Sequence, residues 1–353
     1  MKARIVIGSN YGDEGKGTVV ASYTKKSENV LNVLTNGGAQ RGHSILTKDG
    51  SITFQHFGSG TYYGADNYYS KYFILNPMQF VSEYNSLIVK PKNIFRDKEC
   101  RWTTPYDMIA NHIKEETLNR NASCRMGIWN TIKRYQDMET ITIDEFVRDE
   151  NKMLKYLLDI KAYYEKNIAI PDKWKDIWNS GTLVAHFIDD CIFMVENTIV
   201  STLGSLEYDE MIFENGQGLL LCDTGKDTFD TTPSNTGILY SLELLKDVKN
   251  VDITAHYVTR PYLTRHGDGH LTGEDNRAII SSGIDEDRTN HYNEGQGQFR
   301  YGILDIEALM ERVVKDSRNV NFELEVTHCD EMDRVNEFKK HFGKVNIYDS
   351  PLV

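Results

Sequence analysis

Asp13, Glu14 and Lys16 lie close together near the start of the chain, and Gly8, Gly12, Gly15 and Gly17 are spaced around them. Glycines let a chain turn tightly with its amides exposed, and a helix starting behind the turn adds the positive end of its dipole. A loop of this composition suits phosphate. Lys16 supplies a mobile cation, and Asp13 a carboxylate fit for Mg2+ or for taking a proton. The loop is P-loop-like without being a P-loop, which would need Gly at Asn10 and Ser or Thr at Gly17. The dinucleotide pattern fails as well, for want of a third Gly at Val20. A Gly-rich turn can be only a turn. The acid-acid-Gly-Lys set directly after a strand is what points to phosphate.

A second loop, Asn36 to Ser44, offers amides from Gly37, Gly38 and Gly42, a guanidinium from Arg41 and an imidazole from His43. Its plain reading is a turn with a stray histidine; its chemical reading is a second wall for the same anion.

The elements that must hold these loops are legible in outline. Arg4 to Ile7 and Asn29 to Leu34 read as apolar strands running into the two loops. Further strands are expected at Ser51–Gln55, Tyr72–Leu75, Met211–Phe213, Val251–Val258 and Val320–Val326. Asn76 and Asp305 read as helix caps, the first with Pro77 at the first helical position. Lys152 to Asn167 places Met153, Leu157, Ile160 and Tyr164 on one helical face. Strands alternating with helices predict an α/β fold: one large domain, residues 1–353, around a mainly parallel sheet, with helical elaborations in the middle third.

Composition narrows the function. A net charge of −12 with no Lys/Arg block argues against nucleic acid as a partner. The five cysteines are scattered, odd in number and without a CxxC, which fits a reduced, cytoplasmic setting better than disulfides or structural zinc. No signal peptide or apolar run of 18 is present, so no membrane partner is expected.

The segment YGDEGKGT resembles the signature of the adenylosuccinate synthetases, which join aspartate to a 6-oxopurine nucleotide while cleaving a nucleoside triphosphate. Other segments follow in the family's order. Asn36 to His43 is similar to GGHNAGH, His56 to Gly60 to HxxPSG, and Ser123 to Ile128 falls where the family has TTGRGIG. Glu214 to Leu221 is similar to EGAQGTLL, Thr264 to Gly269 echoes TRVGAG, and Thr327 to Asp330 falls where the family has TKLD; Asn293 to Gly302 occupies the place of TTGRRRRTG but departs from it severely.

The resemblance implies roles. Asp13, Lys16 and His43 would be catalytic, with Asp13 and the Gly42 carbonyl holding Mg2+. The triphosphate would meet Gly12, Glu14, Gly15, Lys16, Gly17, Thr18, Gly42, His43 and Ser44, and its base would meet His328 and Asp330. The purine nucleotide would meet Asp13, Gln40, Arg41, Ser123, Cys124, Gln217 and Thr232; aspartate would meet Gly297, Gln298 and Arg300. Small molecules are thus the implied partners. A homodimer is also implied, in which an arginine crosses to the partner's site; Lys133 and Arg134 lie near that region.

Departures cluster around the substrate. Gln40 replaces Asn, Arg41 replaces Ala, Cys124 replaces a hydroxyl, and Trp129 replaces Gly and is expected simply to pack. His328 replaces Lys, the tail is short, and only Arg300 remains of four loop arginines. These changes favour the viral branch of the family, which acts on dGMP, over the ordinary IMP- and GTP-using enzyme. The intact GDEGKG counts the other way. A non-catalytic nucleotide sensor is the reading from another class, and Asp13, Lys16 and His43 together disfavour it.

Overall fold

The computed structural model describes residues 1–119, 123–223, 231–275 and 297–348. Nine strands form the central sheet: β1 Lys2–Gly8, β2 Val30–Leu34, β3 Asp66–Tyr69, β4 Ile94–Arg96, β5 Ile199–Val200, β6 Glu210–Gly218, β7 Asp252–Thr259, β8 Phe322–Val326 and β9 Val345–Ile347. Their order is β5-β4-β3-β2-β6-β1-β7-β8-β9, and every adjacent pair is parallel. Parallel sheets are covered on both faces, so their central strands are apolar throughout. Strand β1 obeys this: Ile5, Val6 and Ile7 are fully buried, Ile5 and Ile7 in one apolar cluster and Val6 in another with Val19 and Val20. Those two valines belong to helix α1, Lys16–Thr24, which packs beneath β1.

The middle third is helical, as expected. Helix Glu150–Asn167 buries Met153, Leu157, Ile160 and Tyr164, the face that the spacing predicts. It joins a cluster containing Trp102, Phe146, Trp178 and Phe187. Asn76 and Asp305 cap their helices, each side chain accepting from the backbone N–H three residues on at 3.1 Å.

Three expectations change. The strand expected at Val320 begins at Phe322, and its alternation does not mean a wet face: Glu325 is fully buried and accepts from His256 Nδ1 at 2.7 Å on the neighbouring strand. The strand expected at Ser51 pairs antiparallel with His43–Thr47 as a hairpin outside the central sheet. Trp129, expected to pack, is 37% exposed on its helix.

One irregularity in the sheet shapes everything above it. The β1–β6 register runs evenly to Val6↔Glu214 and then jumps to Gly8↔Gly218. The extra residues of β6 bulge out and carry Gln217 in a left-handed conformation, φ 57°. The bulge presses on the end of β1. A methyl group at Gly8 would lie 2.7 Å from the Gln217 carbonyl and 2.5 Å from a Glu14 carboxylate oxygen. The first neighbour is backbone and cannot swing away. Gly8→Ala should therefore cost roughly 1–3 kcal/mol of stability, the usual range for overpacking. Urea unfolding checks it, and an unchanged midpoint would mean that the bulge yields.

Candidate functional site

Between β1 and α1 the chain turns through Gly12 (φ 114°) and Gly15 (φ 86°), conformations that side chains rarely adopt. Inside the turn, Glu14 points down into the fold and is only 3% exposed. One of its oxygens accepts from the backbone N–H of Asn10 at 2.9 Å and of Gly12 at 2.8 Å. Lys16 Nζ donates to the Gly12 carbonyl at 2.6 Å and stands 3.6 Å from the other Glu14 oxygen. Burial pushes the Glu14 carboxyl up and the Lys16 ammonium down, and each opposes the other's shift. Glu14, expected to meet the triphosphate, instead braces the loop from below.

Above the loop is a cleft lined by Gly12, Asp13, Gly15, Lys16, Gly17 and Thr18. Gly42, His43 and Ser44 form its second wall, with Arg260 and His328 completing the lining. The contributing loops follow β1, β2, β7 and β8, so the cleft lies at the carboxyl ends of the strands, where open α/β sheets bind ligands. The structure thus brings the phosphate loop, the Gly42–Ser44 segment and His328 together around one cleft. Asp330 lies two residues past His328 at an exposed position.

His43 is held from behind. Its Nδ1 lies 2.5 Å from a carboxylate oxygen of Glu214, at the end of the apolar run of β6. Both Glu214 oxygens are engaged by Ser59, one by Oγ at 2.6 Å and the other by the backbone N–H at 3.0 Å. Arg41 turns inward rather than toward a substrate, 2% exposed and 3.4 Å from the same Glu214 oxygen. Burial, with Arg41 adding to it, pushes His43 down to about 4 against the pull of Glu214. Burial alone would raise the Glu214 carboxyl, but His43, Arg41 and Ser59 hold it at about 2. Near neutral pH the pair is therefore a carboxylate and a neutral imidazole.

Sequence reasoning missed Glu214 and Arg260. Glu214 had a signal: an acid inside Met-Ile-Phe-Glu must find partners when the strand is buried. Arg260 follows β7 directly, and its Nε donates to the Asp13 carbonyl at 2.7 Å.

The expected purine residues divide. Gln40 and Gln217 converge over Gly37, where a methyl group would meet Gln40 Nε2 at 3.2 Å and Gln217 Oε1 at 3.5 Å. Both amide atoms of Gln40 and the Gln217 oxygen are buried without a hydrogen-bond partner. Buried polar atoms seldom stay unpaired, and water, an ion or a ligand usually completes them. The Cys124 thiol lies 3.9 Å from the Gln40 carbonyl. Ser123 is instead bonded to Glu115, and the Thr232 amide donates to the Leu221 carbonyl at 2.8 Å.

Of the expected aspartate residues, Arg300 lies on the strand Phe299–Gly302, which pairs antiparallel with Leu263–His266 in a hairpin, and Gly297 and Gln298 lie just before that strand. Gly297 has φ 75° and Gln298 is exposed. Positions 293–296 of that loop lie outside the described residues. Arg300 donates to Glu274 at 3.0 Å and to the carbonyls of Gly267 and Gly269 at 2.8 Å each, so it ties its own hairpin together. Arg134 is fully buried on Asp107 at 2.9 Å, whereas the Lys133 side chain is 65% exposed. All five cysteines are free thiols. Among the described residues, no helix is long and apolar enough to cross a membrane.

Known proteins resemble this chain in sequence and in fold. The chain is 25% identical to the adenylosuccinate synthetase of Dehalococcoides mccartyi over 290 residues, 78% of this chain and 66% of that protein. It is 26% identical to that of Finegoldia magna over 292 residues, with the same coverage. The matched stretch thus spans just under two thirds of these relatives' length. Among solved structures, the fully ligated adenylosuccinate synthetase of Plasmodium falciparum superposes with a TM-score of 0.73 at 19% identity, covering 95% of this chain and 78% of that one. The succinoaminodeoxyadenylate synthetase of cyanophage S-2L, bound to dGMP and to dATP as an energy donor, gives 0.66 at 12%, covering 99% and 93%. At such identities these two structures speak for the fold. The model of the adenylosuccinate synthetase family matches residues 5–341, and the chain belongs to that family.

Proposed function

We propose that this chain is a carbon–nitrogen ligase that joins L-aspartate to C6 of a 6-oxopurine nucleotide, with dGMP the favoured substrate and a nucleoside triphosphate cleaved. One observation carries the reading: Asp13, Lys16 and His43 line a single cleft with the loop amides and the Gly42 carbonyl.

The chemistry follows from those groups. A 6-oxo group leaves poorly, so it is first phosphorylated on oxygen. Asp13 takes the purine N1 proton, which builds negative charge on that oxygen. Lys16 and the loop amides then stabilise the transferring phosphoryl group. Incoming phosphate charge favours protonation of His43 at Nε2, and the resulting imidazolium is braced by Glu214. The amine of aspartate displaces phosphate at C6. The Asp13 carboxylate and Gly42 carbonyl are hard oxygen donors of two residues that line the same cleft, a donor set that fits Mg2+. Held by them, Mg2+ would offset charge on the triphosphate. The cytoplasm is the proposed compartment, consistent with five free thiols. Two copies are proposed to assemble as in the family; Lys133, not the buried Arg134, is the basic residue of that region able to reach outward.

Three observations favour dGMP. Arg300 is committed to its own hairpin, which leaves the ribose hydroxyl without the partner that the family's arginine loop would supply. Gln40 offers a buried acceptor for an exocyclic amine. The cyanophage protein of similar fold was solved with dGMP. Ordinary use of IMP is the second reading, supported by the intact GDEGKG and by Asp330.

Asp13→Ala should abolish turnover while nucleotide binding weakens less, since losing a catalytic base costs roughly 10²–10⁴-fold. Steady-state kinetics with calorimetric binding separate the two effects, and near-normal turnover would remove Asp13 from the chemistry. His43→Ala should lower turnover by a similar factor; a change in KM alone would make His43 a binding residue. In a competition among IMP, GMP, dIMP and dGMP, dGMP should exceed IMP by at least about tenfold, or roughly 1.4 kcal/mol of transition-state binding. IMP coming first would make the chain an ordinary family member.

A further inference from the structure

The proposed chemistry needs one imidazole nitrogen aimed into the cleft, and a histidine alone does not choose which nitrogen carries its proton. In a free neutral imidazole either nitrogen can bear it, and the neighbour on the other nitrogen decides. Here that neighbour is unusually well fixed. Glu214 is fully buried on a central strand, and its carboxylate is clamped at both oxygens by Ser59. A carboxylate oxygen 2.5 Å from His43 Nδ1 needs a proton between them. Arg41 Nη2 also stands 3.2 Å from that nitrogen, but Nδ1 cannot accept while it donates. The Arg41 hydrogens therefore go to Glu214, whose side-chain and carbonyl oxygens both lie 3.4 Å away.

We propose that Glu214 is a positioning residue for the reaction: its clamped carboxylate fixes His43 as the Nδ1–H tautomer and leaves Nε2, at the other side of the ring, for the reacting phosphoryl group. The inference rests on the ligase reading for its catalytic consequence but not for its structural one. Glu214 touches no substrate. It acts through His43, as the buried acid of a serine-protease triad acts through its histidine.

The clamp also says what a near-isosteric change would do. The Ser59 backbone N–H is an obligate donor, so in Glu214→Gln the amide oxygen must stay on it. The amide NH2 then falls at the position facing His43. It donates to Nδ1 and forces the proton onto Nε2. One side-chain atom is exchanged, and the imidazole changes tautomer.

Nitrogen-15 NMR of the whole chain tests this first, with the His43 signals assigned by their loss in His43→Ala. The wild type should show a protonated Nδ1, and Glu214→Gln should show an unprotonated Nδ1 with the proton on Nε2. A wild-type Nε2–H tautomer overturns the proposal without any need for the variant to fold. So does a Glu214→Gln protein that keeps the Nδ1–H form. In kinetics, Glu214→Gln should lower kcat by at least about tenfold with KM for both nucleotides held within about threefold. Glu214→Asp, which keeps the charge, should recover part of the loss. Raised KM with unchanged kcat, or equal damage in both variants, would make Glu214 merely structural. Absence of ligase activity in the wild type would sink the proposed function, while the tautomer would remain as measured.

Discussion

The last residue of β1 can carry no side chain, and the site depends on that. At Gly8 three things meet: the bulged backbone of β6, the carboxylate of Glu14 and, 3.0 Å from where a methyl would sit, Lys16 Nζ. Parallel strands normally march in step. Here the step breaks two positions after Val6, and the space released by the missing side chain is filled by the groups that shape the phosphate loop. The bulge places Gln217, and the inward Glu14 orders the turn before any ligand arrives. One absent methyl thus couples the sheet to both halves of the cleft.

The cleft's wall is also a study in paired charge. Burying one ion is prohibitive, whereas burying it with a counter-ion and enough hydrogen bonds is tolerable. Lys16 lies against Glu14 and Arg41 against Glu214, each pair beneath the loop it supports. Neither cation is a loose side chain in water. Lys16 lines the cleft with its position set in advance, the preorganisation that electrostatic catalysis requires, whereas Arg41 acts only from behind His43.

Much of this was legible in the sequence, and the rest fails for identifiable reasons. The strand-loop-helix at Arg4–Val20 and the buried face of Glu150–Asn167 are set by neighbours a few residues apart, which local periodicity reports. The partnership of His43 with Glu214 spans 171 positions, and that of Arg260 with Asp13 spans 247. No spacing rule connects residues so far apart; only the strand order brings them together. Direction is the other blind spot. Arg41 and Glu14 sit in the expected loops, but composition cannot say whether a charged side chain points at a ligand or back into the fold. Glu325 fails in the same way, because alternation predicts two faces without saying whether the second is wet.

The Arg41–Glu214–His43 cluster also constrains how such a sequence can drift. Losing one partner of a buried ion pair strands the other, at about 3–5 kcal/mol. That is a large share of an ordinary domain's stability. Exchange of Arg41 for a small apolar residue would leave Glu214 with His43 and the two hydrogen bonds from Ser59. Exchange of Glu214 first would leave a guanidinium in an apolar interior. Loss of Arg41 is therefore the tolerable step, because Ser59 and His43 still hold the Glu214 carboxylate, whereas Glu214 is expected to persist for as long as Arg41 does.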